Sequence, residues 1–370
     1  MDKLLHISCV APVNIAVIKY WGKRNEELLL PLNDSISVTL DTTLMRTETT
    51  VVSSPTFEED AIVLNGLIQP LKNVRLQNCL SEIRSRLERD PAKKAMSAWK
   101  VKIESRNTFP TGAGLASSAS GYACLVCALC KLFELDISMA EMASIARKGS
   151  GSACRSLHGG FVRWHAGVSP GGEDSVAEQI APGMHWPELR IFVAVVNMCE
   201  KEVGSTDGMQ QTVQTSSLLQ HRVKSVVPKR CEEMTQAILK KDFEAFALLT
   251  MKDSNQFHAV CLDTFPPLFY LNETSKSIIQ FVHDYNAKHS AIKVAYTFDA
   301  GPNAVLLMEE DSLAEFAVAF YQRYSQKKPV SSFFINYALE TTGESVENAH
   351  KVEYVVISKI GGGPKVLIPE

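Results

Sequence analysis

The densest run of residues able to do chemistry is Pro110-Thr-Gly-Ala-Gly-Leu-Ala-Ser-Ser-Ala-Ser-Gly121. Three glycines between Thr111 and Gly121 let the backbone take unusual dihedrals and approach a ligand closely. Ala113, Ala116, Ser117 and Ser118 keep bulk out of the way, and an apolar helical stretch follows at once. The free N–H groups and positive dipole end of such a helix favour a phosphate, and the serine hydroxyls can donate to phosphate oxygens or ligate magnesium. No Gly-Lys-Ser/Thr follows, so this is not a Walker loop. A glycine-rich turn that only packs a helix onto a sheet is the plainer alternative.

Four further places carry reactive groups. Asp299 lies in a small-residue turn, Asp-Ala-Gly-Pro-Asn, at the end of a predicted strand, where a carboxylate can face a cleft or cap its own turn. Lys19 interrupts a mostly apolar strand, where an unpaired charge is costly, so a partner is expected. Ser150-Gly-Ser-Ala-Cys-Arg155 is a second small-residue loop ending in an arginine, which can grip a carboxylate or phosphate with two prongs or make a weak surface ion pair. Thr206 sits in a Gly-Ser-Thr helix start that suits an anion or serves as an N-cap.

These residues must be positioned by elements of both periodicities. The first 105 residues read mainly as strands, including Ile36–Leu40, Met45–Val52 and Trp99–Ile103, with a hairpin signal at Asn65-Gly66 and a helical pattern over Leu71–Leu87. The helix after the Gly/Ser loop runs to about Leu135. A second, over Ser138–Lys148, carries a capping box (Ser138 with Glu141) and stops at Gly149. Phe161–His165, Arg190–Asn197, Ile292–Thr297 and Val352–Ile360 read as strands, and Ser205–Val260, Asn272–Tyr285 and Leu313–Tyr324 as helices. The Pro/Gly-rich stretch Ser169–Glu188 marks a boundary. The expectation is an α+β chain in two domains, residues 1–187 with the Gly/Ser loop and 188–370 with Asp299.

Composition narrows the function. The chain has 370 residues, 45% of them hydrophobic, with a net charge of -3. That balance argues against nucleic-acid or anionic-membrane partners. No apolar run reaches membrane-spanning length, and no signal-peptide pattern is present, so a cytoplasmic protein with nine reduced cysteines is expected. Cys124, Cys127 and Cys130 have the spacing of part of an iron–sulfur run. The fourth cysteine and its proline are missing and the setting is a continuous apolar helix, so core packing is the better reading. The nine histidines show no metal spacing. Gly361-Gly362-Gly363 reads as a turn with close backbone packing and no catalytic role.

The pattern Pro110-x-x-x-Gly114-Leu115-x-Ser117-Ser118-Ala119 resembles the phosphate loop of the GHMP kinase superfamily, with Ala116 in place of the usual glycine. APVNIAVIKYWGKR from Ala11, PLNDSISVTL from Pro31, RLQNCL from Arg75, RKGSGSACRSLHGGFVRW from Arg147 and YTFDAGPNAV from Tyr296 resemble, in order, segments of the mevalonate diphosphate decarboxylase family. That resemblance implies a two-domain GHMP kinase fold, with an N-terminal domain like the second domain of ribosomal protein S5 and a ferredoxin-like C-terminal domain. It implies that ATP, with Mg2+, phosphorylates the tertiary hydroxyl of diphosphomevalonate, and that phosphate and CO2 then leave to give isopentenyl diphosphate. It also implies a homodimer.

On the same grounds, Asp299 is catalytic, as base or as orienting charge, with Lys19, Arg155 and Ser120 beside it. Substrate contacts fall on Asn14, Tyr20, Trp21, Gly22, Lys23, Arg75, Ser150, Gly151, Ser152, Ala153, Cys154, Arg155 and Thr206. Arg155 takes the carboxylate end. ATP contacts fall on Pro110, Gly112, Gly114, Leu115, Ala116, Ser117 and Ser118. Magnesium is held mostly by phosphates, with Ser118 as the one candidate side-chain ligand. A kinase that stops at the phosphorylated alcohol, a catalytically dead sensor and a decarboxylase of the monophosphate are the alternatives. The presence of Asn14, Lys19, Arg155 and Asp299 together argues against the first, and the intact phosphate loop with Asp299 argues against the second.

Overall fold

The computed structural model describes residues 4–109, 117–196, 202–324 and 352–367. The first half contains β1 (Leu5–Pro12), β2 (Asn14–Ile18), the short pair β3 (Lys23–Asn25) and β4 (Leu30–Pro31), β5 (Ser35–Thr39), β6 (Arg46–Ser54), the hairpin β7 (Ala61–Leu64) and β8 (Leu67–Ile68), α1 (Val74–Arg89) and β9 (Lys100–Asn107). It continues with α2 (Ser117–Leu132), α3 (Met139–Gly149), the single turn α4 (Ala153–Ser156), β10 (Phe161–Trp164) and β11 (Ala177–Ala181). The second half contains β12 (Leu189–Val195), α5 (Ser205–Thr215), α6 (Ser217–His221), a π-helical turn (Arg222–Val226), α7 (Val227–Lys240), α8 (Phe243–Asp263) and α9 (Glu273–Ala287). It ends with β13 (Val294–Phe298), β14 (Ala304–Glu309), α10 (Glu310–Arg323), β15 (Tyr354–Lys359) and β16 (Lys365–Leu367).

Two sheets build the first half, in the orders β16-β1-β6-β9-β7-β8 and β11-β10-β5-β2. One hydrophobic core joins Cys9, Ala11, Val51, Val101 and Ile103 of the first sheet and Val162 and Trp164 of the second to the buried faces of α1, α2 and α3. Because α2 meets partners from several sides, its sequence is apolar nearly all round. Cys124, Cys127 and Cys130 are all buried in it as free thiols. The Ser138–Glu141 capping box forms as expected: Ser138 Oγ accepts from Glu141 N at 3.2 Å, and Glu141 Oε2 accepts from Ser138 N at 2.9 Å. Gly149 ends α3 against Tyr122, whose ring would lie only 2.0 Å from an added Cβ, so close packing of α3 on α2 requires glycine there.

The second half has the order strand, helices, strand, strand, helix, strand, with the sheet β13-β14-β12-β15 fully antiparallel. That is the ferredoxin-like βαββαβ arrangement implied above. Its core is continuous with β2 and β5 of the first half through Val13, Ile15, Val38, Phe246 and Val193. The two halves are therefore packed together. Segments at two places near the sheet edges depart from their sequence reading. Ala177–Ala181, inside the Pro/Gly-rich stretch, pairs with β10 as a strand. The chain's end crosses back, so that β16 pairs with β1. Gly361 and Gly363 make this crossing possible: an added Cβ on Gly361 would lie 2.5 Å from Asp41 Cα, and one on Gly363 2.7 Å from the Leu157 carbonyl oxygen. Among the described residues no helix is long and apolar enough to cross a membrane.

Candidate active site

A cleft of about 320 Å³ opens where β2, α1, α2, the 150–155 loop, α5 and the turn after β13 converge. Its lining includes Asn14, Lys19, Tyr20, Trp21, Lys23, Arg75, Ser117, Ser118, Ser150, Gly151, Ser152, Arg155, Thr206 and Asp299, all expected from sequence, together with Ala16, Leu29, Ser205, Met209, Phe257 and Ala300. Lys19, Lys23, Arg75 and Arg155 face one lining carboxylate, Asp299, so the cleft suits a multiply charged anion.

Lys19 and Asp299 meet at the cleft floor. The sequence reading put Lys19 inside a strand. It lies instead one residue beyond β2, and its backbone bonds leave the sheet: Lys19 N donates to Asp253 Oδ2 at 2.7 Å, and its carbonyl accepts from Arg222 Nη2 at 3.0 Å. The expected partner is present. Lys19 Nζ donates to Asp299 Oδ1 at 2.5 Å, with the lysine side chain 3% and the aspartate side chain 25% exposed. Burial lowers the Lys19 ammonium below the usual lysine range, and Asp299 acts against that shift. Asp299 Oδ2 has no protein hydrogen bond among the described residues and is free to receive a ligand hydroxyl.

Arg155 is built into a cradle of neutral oxygens. Its Nε donates to Asn14 Oδ1 at 3.2 Å and to Ser37 Oγ at 3.1 Å, and its Nη1 donates to Ser35 Oγ at 2.5 Å. Asn14 is fixed in turn, its Nδ2 donating to Ser156 Oγ at 2.7 Å and to the Ser152 carbonyl at 3.2 Å. No carboxylate pairs with Arg155 among the described residues, although the side chain is buried. Burial accordingly pushes its guanidinium down from the ordinary arginine value, with only the more distant Asp299 and neighbouring Cys154 and Tyr20 opposing. A buried cation held by dipoles alone is a ready anion receptor.

On the opposite wall, Arg75, at the start of α1, donates through Nη2 to Thr206 Oγ1 at 2.5 Å, which joins residues 131 apart in sequence. Thr206 lies in the first turn of α5, whose N-cap is Gly204 and not the threonine, so the threonine hydroxyl can serve the cleft. Lys23 Nζ pairs with Glu26 Oε2 at 2.6 Å. The Tyr20 ring stacks edge-on against Trp164 at 4.8 Å, and its buried hydroxyl has no hydrogen-bond partner among the described residues. Trp21 is half cleft and half core: its indole N–H donates to Thr212 Oγ1 at 3.0 Å, and its ring meets Phe257.

Other expected residues sit behind the cleft. Gly22 turns the chain with φ of 88°, a left-handed conformation that favours glycine. Ala153 and Cys154 pack into the core, Cys154 Sγ donating to the Gly151 carbonyl at 3.1 Å. The Ser120 hydroxyl is fully buried against Thr47 Oγ1 at 2.7 Å and the Ser117 carbonyl at 3.2 Å, and does not line the cleft. Pro110, Gly112, Gly114, Leu115 and Ala116 lie outside the described residues. In the cleft lining, the Ser118 and Ser150 hydroxyls are 3.1 Å apart. No group of three or more His, Cys, Asp or Glu able to hold a metal occurs among the described residues. Such a wall suits a magnesium ion carried by phosphate oxygens, with the two serines beside it.

The site residues missed by sequence reasoning are Asp253, Arg222, Ser35 and Ser37. Ser35 and Ser37 fall inside the quoted PLNDSISVTL segment, and their alternation along β5 was the available signal. Asp253 and Arg222 gave none, since both lie in the stretch Ser205–Val260, which reads only as helical.

Comparison with known proteins agrees with this geometry. Residues 11–177 match the family model for the diphosphomevalonate decarboxylase-like N-terminal domain, and residues 191–367 that for the mevalonate 5-diphosphate decarboxylase C-terminal domain. The chain is 50% identical to the diphosphomevalonate decarboxylase of Rattus norvegicus over 379 residues, covering 98% of this chain and 94% of that protein. It is 49% identical to that of Homo sapiens over 380 residues, with the same coverage. Mevalonate diphosphate decarboxylase from Trypanosoma brucei superposes with a TM-score of 0.90 at 36% identity, covering 98% of each chain. A structure of MDDEF in complex with MVAPP, AMPPCP and magnesium superposes with a TM-score of 0.80 at 34% identity, covering 99% of this chain and 100% of that one. With the two models together spanning most of its length, this chain belongs to the mevalonate diphosphate decarboxylase family.

Proposed function

We propose that the chain catalyses the ATP-dependent decarboxylation of mevalonate diphosphate to isopentenyl diphosphate, ADP, phosphate and CO2, in the mevalonate route of isoprenoid and sterol synthesis. The observation that carries this reading is the Lys19–Asp299 couple at the floor of a cation-lined cleft, with Arg155 held ready beside it. Family membership supports the same reaction.

The geometry supports one orientation of the substrate. Its diphosphate lies against Arg75, Lys23, Thr206 and the Tyr20 hydroxyl. Its carboxylate meets Arg155, whose neutral cradle leaves the charge uncompensated until substrate arrives. Its tertiary hydroxyl faces Asp299 Oδ2, while Lys19 Nζ holds the other carboxylate oxygen, Oδ1. In the first step the hydroxyl oxygen bonds to the γ-phosphorus of ATP and ADP leaves, the hydroxyl proton passing toward Asp299. In the second the C–O bond to the new phosphate breaks, the C–C bond to the carboxylate breaks, and that electron pair becomes the alkene. Asp299 also stabilises the positive charge that develops at the tertiary carbon. Arg155 holds the carboxylate in line without a second strong donor pair, which would overstabilise the group that must leave as CO2.

ATP phosphates are assigned to the loop from Pro110 to Ala116 and to Ser117 and Ser118. Magnesium, carried with the nucleotide near Ser118 and Ser150, would neutralise charge on the transferred phosphate. We assign the protein to the cytosol, a reading supported by the free, buried state of the described cysteines. The family resemblance supports a homodimer, which light scattering of the purified protein tests. Purified protein supplied with ATP, Mg2+ and mevalonate diphosphate should form isopentenyl diphosphate, and none should form without ATP. Failure to form it with all three present would refute the assignment.

A further inference from the structure

The peptide of Lys19 is held at both ends by groups that take no part in lining the cleft. Its N–H donates to Asp253 Oδ2 at 2.7 Å, and its carbonyl accepts from Arg222 Nη2 and from Asn33 Nδ2, each at 3.0 Å. Arg222 also binds Asp253 with two prongs, Nη1 to Oδ1 and Nη2 to Oδ2, both at 2.8 Å. Arg230, from α7, adds a second cation at 2.9 Å from Asp253 Oδ1. Asp253 and Arg222 are both 0% exposed. Such a buried pair is rarely a gain in stability over well-packed apolar residues. What this one holds is a backbone position that no sheet ladder holds, one residue beyond the end of β2.

We propose that Asp253 and Arg222 are a positioning pair for the Lys19–Asp299 couple, a buried clamp that fixes the Lys19 peptide and so aims its ammonium at Asp299. A lysine head rides on a flexible four-carbon stem. Its aim is set only if its Cα is set, and misplacement near 1 Å can cost about 10²-fold in rate. The clamp works on the C-terminal side of the cleft from α8 and the π-helical turn, while Asp299 comes from the turn after β13, so it ties the lysine to the same half of the molecule as its carboxylate. Asp253 also places a negative charge beside the lysine. The charged or titratable groups that face Lys19 are Asp299, Asp253, Arg155, Arg222 and the neutral His258 of α8, with Arg230 behind Asp253. Burial and Arg155 lower the ammonium's pKa, and Asp299 and Asp253 raise it.

The inference rests on the decarboxylase reading, and its test separates the two. Asp253→Asn keeps an acceptor oxygen for the Lys19 N–H but removes the charge. The expected result is a kcat lower by about tenfold or more, a KM for ATP within about twofold of the parent, and an alkaline limb of the kcat–pH profile moved to lower pH. Arg230→Gln leaves every bond to Lys19 in place and strips a positive charge from Asp253. It should move the same limb to higher pH with kcat within about threefold. These opposite displacements are not produced by general loosening. A folded Asp253→Asn protein with the parent's kcat and limb would overturn the clamp while leaving the proposed function standing. If Asp253→Asn does not yield folded protein by circular dichroism, Arg230→Gln decides, and an unmoved limb overturns the proposal. Absence of CO2 formation by the parent protein would remove the reading on which both rest.

Discussion

Replacing Asp299 by Asn leaves shape nearly unchanged and removes the charge facing Lys19. At 2.5 Å the gross attraction is about 7 kcal/mol with an effective dielectric near 20. Hydration that Asp299 gives up offsets much of this, and its side chain is still 25% exposed. Breaking a fully buried pair costs about 3–5 kcal/mol, so the net loss here is placed at about 2–3 kcal/mol. Lys19→Met should cost less, about 1 kcal/mol, because Asp299 can turn to water while the methionine stem fills the lysine's place. The double variant should therefore be more stable than Asp299→Asn alone, which a double-mutant cycle on thermal or denaturant unfolding would read. Turnover should fall about 10²-fold or more in Asp299→Asn, as for removal of a positioned acid/base group, with ATP affinity retained. The double variant should be no slower than the slower single one, because the two groups act as a unit. A near-normal rate in Asp299→Asn would take the residue out of the mechanism. Additive stability losses would show that Lys19 does not depend on it.

Other outcomes follow from the same contacts. Arg155→Lys cannot reproduce the fork that reaches Asn14, Ser35 and Ser37, so kcat/KM for mevalonate diphosphate should fall by about 10²-fold while the KM for ATP stays within about threefold; equal effects on both substrates would contradict the assigned subsite. Gly160→Ala meets the Ala181 carbonyl oxygen at 2.1 Å and a φ of 75°, and should lower stability by about 2–4 kcal/mol in denaturant unfolding; a loss under 1 kcal/mol would refute it. His258, buried and near Lys19, has its pKa lowered to about 3, against about 6.5 when unfolded. The unfolded chain therefore binds the extra proton first. The associated stability is complete above about pH 6.5 and is lost as pH falls toward 3, on the order of 3–5 kcal/mol in all. His258→Gln should flatten that acid dependence, and an unchanged slope would exclude the residue.

Local signals in the sequence were enough for several elements. The Ser138–Glu141 box starts α3, Asn65-Gly66 turns β7 into β8, and the apolar run with three cysteines becomes the enclosed helix α2. Residue type marked Lys19, Arg155 and the turn at Asp299 only as candidates, the family resemblance gave them a common site, and the structure brings all three to one cleft. What stayed hidden depends on long-range burial. Asp253 and Arg222 sit among polar helical neighbours, and nothing local tells a buried carboxylate from a solvated one. Thr206 was legible as a helix start, but its bond to Arg75 joins distant segments. β14 follows the Asp299 turn and precedes a helix without a distinct break, so the sheet's central partner of β12 was not separated. β16 is three residues long and exposed, too short for a periodic signal, and its place on β1 is set by the packing of the glycines before it. Ser120 lay in the right motif, but the helical phase turned its hydroxyl toward Thr47.

The central claim is that one cleft couples phosphoryl transfer to decarboxylation. Its most direct test is the ratio of CO2 to ADP released by the purified protein from mevalonate diphosphate, ATP and Mg2+, both measured in the same reaction. The account predicts one CO2 for each ADP throughout the time course. ADP accumulating without CO2 would identify a kinase and contradict it.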